Sequence, residues 1–304
     1  MLRVHGGVYE VETAPGRVVD ASLRGRLKRE QRTGDRVVAG DEVVVRRHDD
    51  GTVTIEAVEP RRSELVRRAP GRGRRGRRPG PRIIVANVDQ VVVVFAAAEP
   101  APRLRMLDRV LVLAEANGLA AVVLVNKVDL ADEAATGALF QRYEHAGYPV
   151  LLTSAVTGRG VADFADRLRA ATSVLAGPSG VGKSSLLNAI EPGLELPTAE
   201  ISEAVGKGRH TTVTARLIRL PHGGYVADTP GLRELGLWGV STDELRTCFP
   251  EFHEPAARCR FGNTCTHSHE PDCGVREAAE AGAVHPERYA SYLAMLESET
   301  LEEA

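Results

Sequence analysis

The 304-residue chain has no apolar run long enough to cross a membrane: its longest, Val91 to Ala98, is far below the roughly 20 residues a spanning helix needs. Nor does Met1-Leu2-Arg3-Val4 open a secretory signal. Both absences point to a soluble, cytoplasmic protein. Cysteine is scarce, with four in the chain. Three of them crowd between Cys259 and Cys273 beside two histidines, which suits a metal site better than a disulfide framework. Net charge is nearly absent too, at -2, but it is unevenly spread. The segment from Arg61 to Arg82 carries ten arginines against the single Glu64, a local +9, so the remainder of the chain carries -11. What the chain does have is length for two or three domains and 43% hydrophobic residues to pack them.

The first sixty residues hold short alternating runs such as Val8-Tyr9-Glu10-Val11, Glu42-Val43-Val44-Val45 and Val53-Thr54-Ile55-Glu56, punctuated by Gly6-Gly7, Gly34-Asp35 and Asp49-Asp50-Gly51. That pattern predicts a small antiparallel barrel of about five strands, an OB-fold by size, with an SH3-like barrel or a structural cap as alternatives. From Ile83 the pattern changes to buried strands alternating with amphipathic helices. Strands are expected over 91–95, 121–125 and 149–152, and helices near 103–117, 132–146 and 161–171, which makes a doubly wound parallel sheet. Beyond Leu237 the strand signal fades, and helices are expected over 274–281 and 286–301.

Gly177-Pro178-Ser179-Gly180-Val181-Gly182-Lys183-Ser184 follows the apolar run Ser173 to Ala176 and precedes the helical stretch beginning at Ser185. This is the strand-loop-helix setting of a phosphate loop. Its glycines let backbone N–H groups curl round phosphates, Lys183 reaches the β- and γ-phosphates, and Ser184 ligates Mg²⁺. Phosphate loops serve ATP and GTP alike, so base identity must be read elsewhere. Asn126-Lys127-Val128-Asp129 supplies it: the Asp129 carboxylate accepts from guanine N1–H and the 2-amino group, donors that adenine lacks on that edge. Asn126 would brace the phosphate loop and base, and the Lys127 stem would cover the ring. Thr153-Ser154-Ala155, weak alone, is placed in order for a backbone N–H to guanine O6. Asp228-Thr229-Pro230-Gly231 follows the strand Tyr225 to Ala227, as expected for a carboxylate that holds Mg²⁺ through water and a glycine N–H that senses the γ-phosphate. Between these lies Gly206 to Thr212, a threonine switch in which either Thr211 or Thr212 can bind Mg²⁺.

The guanine motif therefore precedes the phosphate loop, the reverse of the ordinary order, and the chain reads as a circularly permuted GTPase. Glutamine is absent where many GTPases orient water, and Leu232 stands there. Intrinsic turnover should be low and a partner should raise it. His210 is a candidate water-positioning group, with an exposed loop histidine as the bland alternative.

Cys259-x5-Cys265-x-His267-x5-Cys273 offers four ligands with no open position, a structural tetrahedral Zn²⁺ site. Cys248 and His269 are nearby substitutes, and spacing favours Cys248 as a small buried thiol. Arg67 to Gly80 has nothing apolar to bury and reads as a flexible linker whose guanidiniums contact RNA phosphates, an acidic protein surface being the rival.

Taken together, the barrel, the run Ile84-Val85-Ala86-Asn87-Val88-Asp89-Gln90, the permuted motifs, Gly208-Arg209-His210-Thr211-Thr212 and the knuckle resemble the ribosome small-subunit-dependent GTPase A family (RsgA, also called YjeQ) over nearly the whole chain. The resemblance implies an N-terminal OB-fold over 1–65, an arginine-rich linker or loop over 66–82, a permuted GTPase domain over 83–236 and a mainly helical zinc-binding domain over 237–304. It implies GTP/GDP, Mg²⁺ and one structural Zn²⁺ as ligands. It further implies stimulation by the small ribosomal subunit and its rRNA late in subunit maturation, and a share for His210 and Leu232 in the hydrolysis switch. Nothing requires more than a monomer. Two features depart from the family pattern: the five residues between Cys259 and Cys265 are one more than it has, and the arginine segment is unusually dense. The competing reading is a GTP-regulated RNA-binding module whose hydrolysis is incidental. A P-loop kinase would leave Asp129 and the threonine switch without a task.

Overall fold

The computed structural model describes residues 1–14, 16–30, 36–67, 82–196, 215–228 and 240–303. Five strands open the chain: β1 (Arg3–His5), β2 (Val8–Ala14), β3 (Arg17–Leu23), then, after helix α1 (Gly25–Glu30), β4 (Val43–Arg47) and β5 (Val53–Val58). They lie in the order β1-β2-β3-β5-β4, with β3 and β5 parallel and the other neighbours antiparallel. The Met1 amino group donates to the Asp41 carbonyl and Gly40 N–H to the Met1 carbonyl, both at 2.9 Å, so the approach to β4 folds back onto the start of β1. The alternating inward residues Tyr9, Val11, Ala21, Val37 and Ile55 fill a small core.

A hairpin follows, β6 (Glu64–Arg67) against β7 (Arg82–Ala86). Although Ile83 to Ala86 is apolar enough to read as a buried parallel strand, it pairs with β6 and stays out of the parallel sheet. Gly40, at φ +91°, packs so close to its end that a Cβ would sit 2.0 Å from the Ala86 carbonyl oxygen. Asn87, also left-handed at φ 54°, then turns the chain, its side chain donating to the Gly40 carbonyl and accepting from Arg62 N–H.

The nucleotide-type unit comprises β8 (Gln90–Ala96), α2 (Leu104–Ala116), β9 (Ala120–Asn126), α3 (Glu133–His145), β10 (Val150–Leu152), α4 (Val161–Leu168), β11 (Thr172–Ala176), α5 (Lys183–Ile190), β12 (Arg216–Arg219) and β13 (Tyr225–Asp228). Strands β10-β9-β8-β11-β13 are parallel neighbours, with β12 antiparallel at the end. Every residue of β8 is buried because both faces are covered. Val91, Val93 and Phe95 join α2 and α3 in one core; Val92, Val94 and Ala96 join α4 and α5 in the other. The expected alternation of strands and helices is present, and α4 ends earlier than its periodicity indicates, ahead of a left-handed Ala170. Beyond the edge strand, β12 pairs with β1, so the N-terminal strands and the parallel sheet form one eleven-stranded sheet.

The C-terminal unit holds α6 (Thr242–Leu245), α7 (His253–Ala256), α8 (Gly274–Glu280) and α9 (Pro286–Glu303). Ser241 and Glu244 form a reciprocal capping box at α6. The core of this unit includes Phe249, Phe252, Val275, Tyr292 and Met295, together with Val112 of α2. No helix among the described residues is long and apolar enough to cross a membrane.

Candidate nucleotide site and metal knuckle

Parallel strands end on one edge of a sheet, so Ala96, Asn126, Leu152, Ala176 and Asp228 terminate five neighbouring strands there. The phosphate loop leaves β11 and enters α5 at this edge. Gly177 has φ +141° and runs so close to β8 that a Cβ would meet the Val94 carbonyl oxygen at 2.0 Å. Gly182, at φ +93°, caps α5, and a Cβ there would lie 2.3 Å from Asn126 Nδ2. Two of the motif's glycines are thus required by neighbouring protein atoms alone.

Asn126 is 1% exposed and joins three motifs that are far apart in the chain. Its Nδ2 donates to the Val181 carbonyl at 2.9 Å, and its Oδ1 accepts from Ala155 N–H at 3.2 Å. Val128 N–H donates to the Thr153 carbonyl at 3.2 Å, a second tie between the base-type loop and the following one. Ser154 is buried, its hydroxyl accepting from Thr157 N–H. Asp129 is exposed in the short turn Val128–Leu130. Lys127, left-handed at φ 60°, donates its ammonium to the Glu99 carbonyl.

Lys183 curls over its own loop and donates to the carbonyls of Gly177 and Pro178, each at 2.7 Å. Ser179 and Gly180 are exposed, Val181 is buried, and Ser184 and Ser185 are half-buried in the first turn of α5. Asp228 is exposed at the end of β13, one residue beyond Ala227, which pairs with Val174 of β11. The turn after β8 also belongs to this neighbourhood. Pro100 lies 3.8 Å from where a Gly180 Cβ would be, while Glu99 holds Lys127. Ala98-Glu99-Pro100 carries no motif that could have marked it. His210, Thr211, Thr212, Gly231 and Leu232 lie outside the described residues, as does the arginine segment 68–81.

In the C-terminal unit, Cys259, Cys265, His267 and Cys273 are all buried, with ligand atoms within 4.8 Å of one another. Cys259 Sγ is 3.8 Å from Cys273 Sγ and 3.5 Å from His267 Nδ1. Zn–S bonds of about 2.3 Å in a tetrahedron put sulfurs about 3.8 Å apart, so the donor set fits zinc. Burial pushes the Cys265 thiol up to about 12 and raises Cys273, while it lowers His267. Three thiols and one imidazole in an apolar pocket are a donor set that a dication would hold as three thiolates and a neutral imidazole. Cys248 is outside the group, its thiol donating to the Glu244 carbonyl at 3.1 Å. Around the ligands, Tyr289 and Tyr292 hydroxyls donate to the carbonyls of His267 and Thr266 at 2.7 and 2.6 Å. Glu270 accepts from the hydroxyl and N–H of Thr266 and from Ser268 N–H, a clamp on the ligand loop that the cysteine spacing did not reveal.

A phosphate loop braced by the asparagine of a guanine-type loop that comes before it in the chain defines a circularly permuted P-loop GTPase. The family described as RsgA GTPase matches residues 58–238. The chain is 53% identical over 290 residues to the small ribosomal subunit biogenesis GTPase RsgA of Gemmatimonas aurantiaca, covering 95% of this chain and 92% of that one. To its namesake in Moorella thermoacetica it is 44% identical over 296 residues, covering 97% and 95%. Among solved structures, YjeQ from Thermotoga maritima superposes with a TM-score of 0.79 at 36% identity over 98% of this chain and 96% of that one. YloQ, a circularly permuted GTPase, gives a TM-score of 0.75 at 32% identity over 98% of this chain and 93% of that one. The chain belongs to the RsgA GTPase family and is a GTPase.

Proposed function

We propose that this protein is a cytoplasmic, monomeric GTP hydrolase that acts late in maturation of the small ribosomal subunit and is activated by that subunit. The observation that carries the reading is Asn126, which ties the base-type loop, the Thr153–Ala155 segment and the phosphate loop into one pocket. The relatives' names supply the setting. In this reading Asp129 selects guanine, Ala155 and Ser154 flank its O6, and Lys127 covers the ring. Gly177 to Ser184 hold the phosphates with Ser185 behind them. Ser184, Asp228 and Thr212 (or Thr211) hold Mg²⁺, which supplies charge neutralisation on the phosphates when bound, and Gly231 senses the γ-phosphate. The exposed loop tip, the glycine cradle and the exposed carboxylate on one sheet edge support that assignment.

The strand order β1-β2-β3-β5-β4 with one parallel pair supports an OB-fold for the N-terminal unit, over about residues 1–65. This unit and the arginine segment are read as rRNA contacts, and the Cys₃His site as one structural Zn²⁺. GTP would favour the subunit-bound state and GDP release, since only a differential affinity can couple nucleotide to binding.

Leu232, in the place of a water-orienting glutamine, favours a second reading in which GTP only orders an RNA-binding module. One experiment separates the two: GTP turnover by the chain alone, with purified small subunits and with large subunits. Activation by a partner reaches up to about 10⁵-fold, or about 7 kcal/mol, in other GTPases. Strong stimulation by small subunits alone is expected. Equal turnover in all three would leave only the binding module.

A further inference from the structure

Glu12 belongs to β2 of the N-terminal unit, yet its carboxylate is engaged by the nucleotide-binding sheet. The side chain is 9% exposed. Oε2 accepts from the Tyr225 hydroxyl at 2.9 Å, and Oε1 lies 3.3 Å from Arg219 Nε while accepting Gly16 N–H at 2.8 Å. Arg219 and Tyr225 face each other at the closed end of the β12–β13 hairpin. At the opposite end Arg216 faces Asp228, and there the main chain of β1 takes over. Arg3 pairs with Arg216, and Leu217 N–H donates to the Leu2 carbonyl at 2.8 Å. The hairpin that ends in Asp228 is therefore fastened to the N-terminal unit at both ends, by backbone at one and by a nearly buried carboxylate at the other. A strand held at two points cannot pivot about either. Movement of the N-terminal unit must carry β13 with it or break the contacts of a carboxylate that is only 9% exposed, which cost free energy to leave unmade.

We infer that Glu12 is a positioning residue for GTP hydrolysis: through Tyr225 and Arg219 it couples the N-terminal unit to the strand that places Asp228 at the phosphate edge. Partner binding to the N-terminal unit is transmitted along this path as a shift of Asp228. The inference rests on the reading of Asp228 and of small-subunit activation given above, and it adds the route by which activation reaches the pocket. The C-terminal unit is attached elsewhere, to α2, through Arg288 and Asp108.

The test uses the full chain with Glu12→Ala, Glu12→Gln, Tyr225→Phe and the double variant Glu12→Ala/Tyr225→Phe. Unstimulated kcat, subunit-stimulated kcat and the KM for small subunits are measured for each. A hydrogen bond to a charged group is worth about tenfold in an equilibrium. The ratio of stimulated to unstimulated kcat is accordingly expected to fall about tenfold in Glu12→Ala, with KM for subunits within twofold of wild type. Glu12→Gln keeps an acceptor for Tyr225 and loses the Arg219 ion pair, so it should fall in between and stands in if the alanine variant does not fold. Tyr225→Phe should add little on top of Glu12→Ala, because both remove one interaction. An unchanged ratio, an equal fall in both rates, or a change confined to KM would each overturn the inference. Wild type without stimulation would instead sink the functional reading and this inference with it, whereas a stimulated wild type matched by Glu12→Ala sinks the inference alone.

Discussion

Arg288 of the C-terminal unit and Asp108 of α2 form an ion pair at 2.7 Å with side chains only 1% and 4% exposed. Glu251 accepts from the same guanidinium at 2.7 Å, and the Phe249, Tyr143 and Tyr148 rings lie 4.7, 5.5 and 5.8 Å from it. One guanidinium thus bridges an acid from each of two units inside an aromatic shell.

Removing the guanidinium leaves the Asp108 and Glu251 carboxylates uncompensated in the interior, so Arg288→Ala should cost about 3–5 kcal/mol of stability. Arg288→Lys should recover little, because an ammonium cannot serve both carboxylates in the fixed fork of a guanidinium. Equilibrium urea denaturation checks both. A cost below about 1 kcal/mol would mean that the interface relaxes around the loss.

Asn126→Ala strands the buried Val181 carbonyl and the half-buried Ala155 N–H. Loosening the site by the cost of one unmet group, about 1–3 kcal/mol, should lower GTP affinity about 10- to 100-fold. Titration with a fluorescent guanine nucleotide reads this directly. Unchanged affinity would show that the three motifs hold their places without the asparagine.

Asp129→Asn tests base reading. An amide presents one donor where the carboxylate presents an acceptor, and xanthine carries a carbonyl where guanine carries its 2-amino group. Affinity should swing away from GTP by at least about tenfold and toward xanthosine triphosphate. Parallel loss of both nucleotides would place Asp129 outside the base contact.

Metal and acid act on the C-terminal unit. One zinc per chain is expected by elemental analysis, and Cys265→Ser should abolish it and raise amide exchange in α8 and α9 while leaving β8 to β11 protected. Burial would raise the Glu270 carboxyl, but the Thr266 hydroxyl and N–H, with further N–H groups, hold it down at about 2 against an ordinary value of 4.5. A folded value below the unfolded one stabilises fully above pH 4.5 and loses that contribution as pH falls through about 2. Glu270→Gln should therefore weaken the unit at neutral pH, and its deficit against wild type should narrow only below pH 4.5. A deficit that is constant with pH would remove the carboxylate's charge from the account.

Much of this was legible in the sequence because it is local. The phosphate loop, the Asn126 to Asp129 run and the cysteine knuckle each keep their chemistry within a few residues, and β8 announces its two buried faces by being apolar throughout. The remainder is carried by partners distant along the chain. Arg288 and Asp108 are 180 residues apart, and Tyr225 and Glu12 are 213 apart. Periodicity tells which face of a strand or helix is apolar but not which charged group will meet it. Ile83, where the sequence pattern of buried strands begins, instead lies in the strand that pairs with β6, whose end packs against Gly40.

In the proposed reading, Asn126, Asp129 and the Gly177 to Ser184 loop make one guanine-nucleotide pocket despite their inverted order. Calorimetric titration of the full chain with GTP and with ATP in the presence of Mg²⁺ tests it most directly. One-site binding of GTP and none of ATP at the same concentrations is expected; ATP bound as tightly as GTP, or neither bound, would rule the shared pocket out.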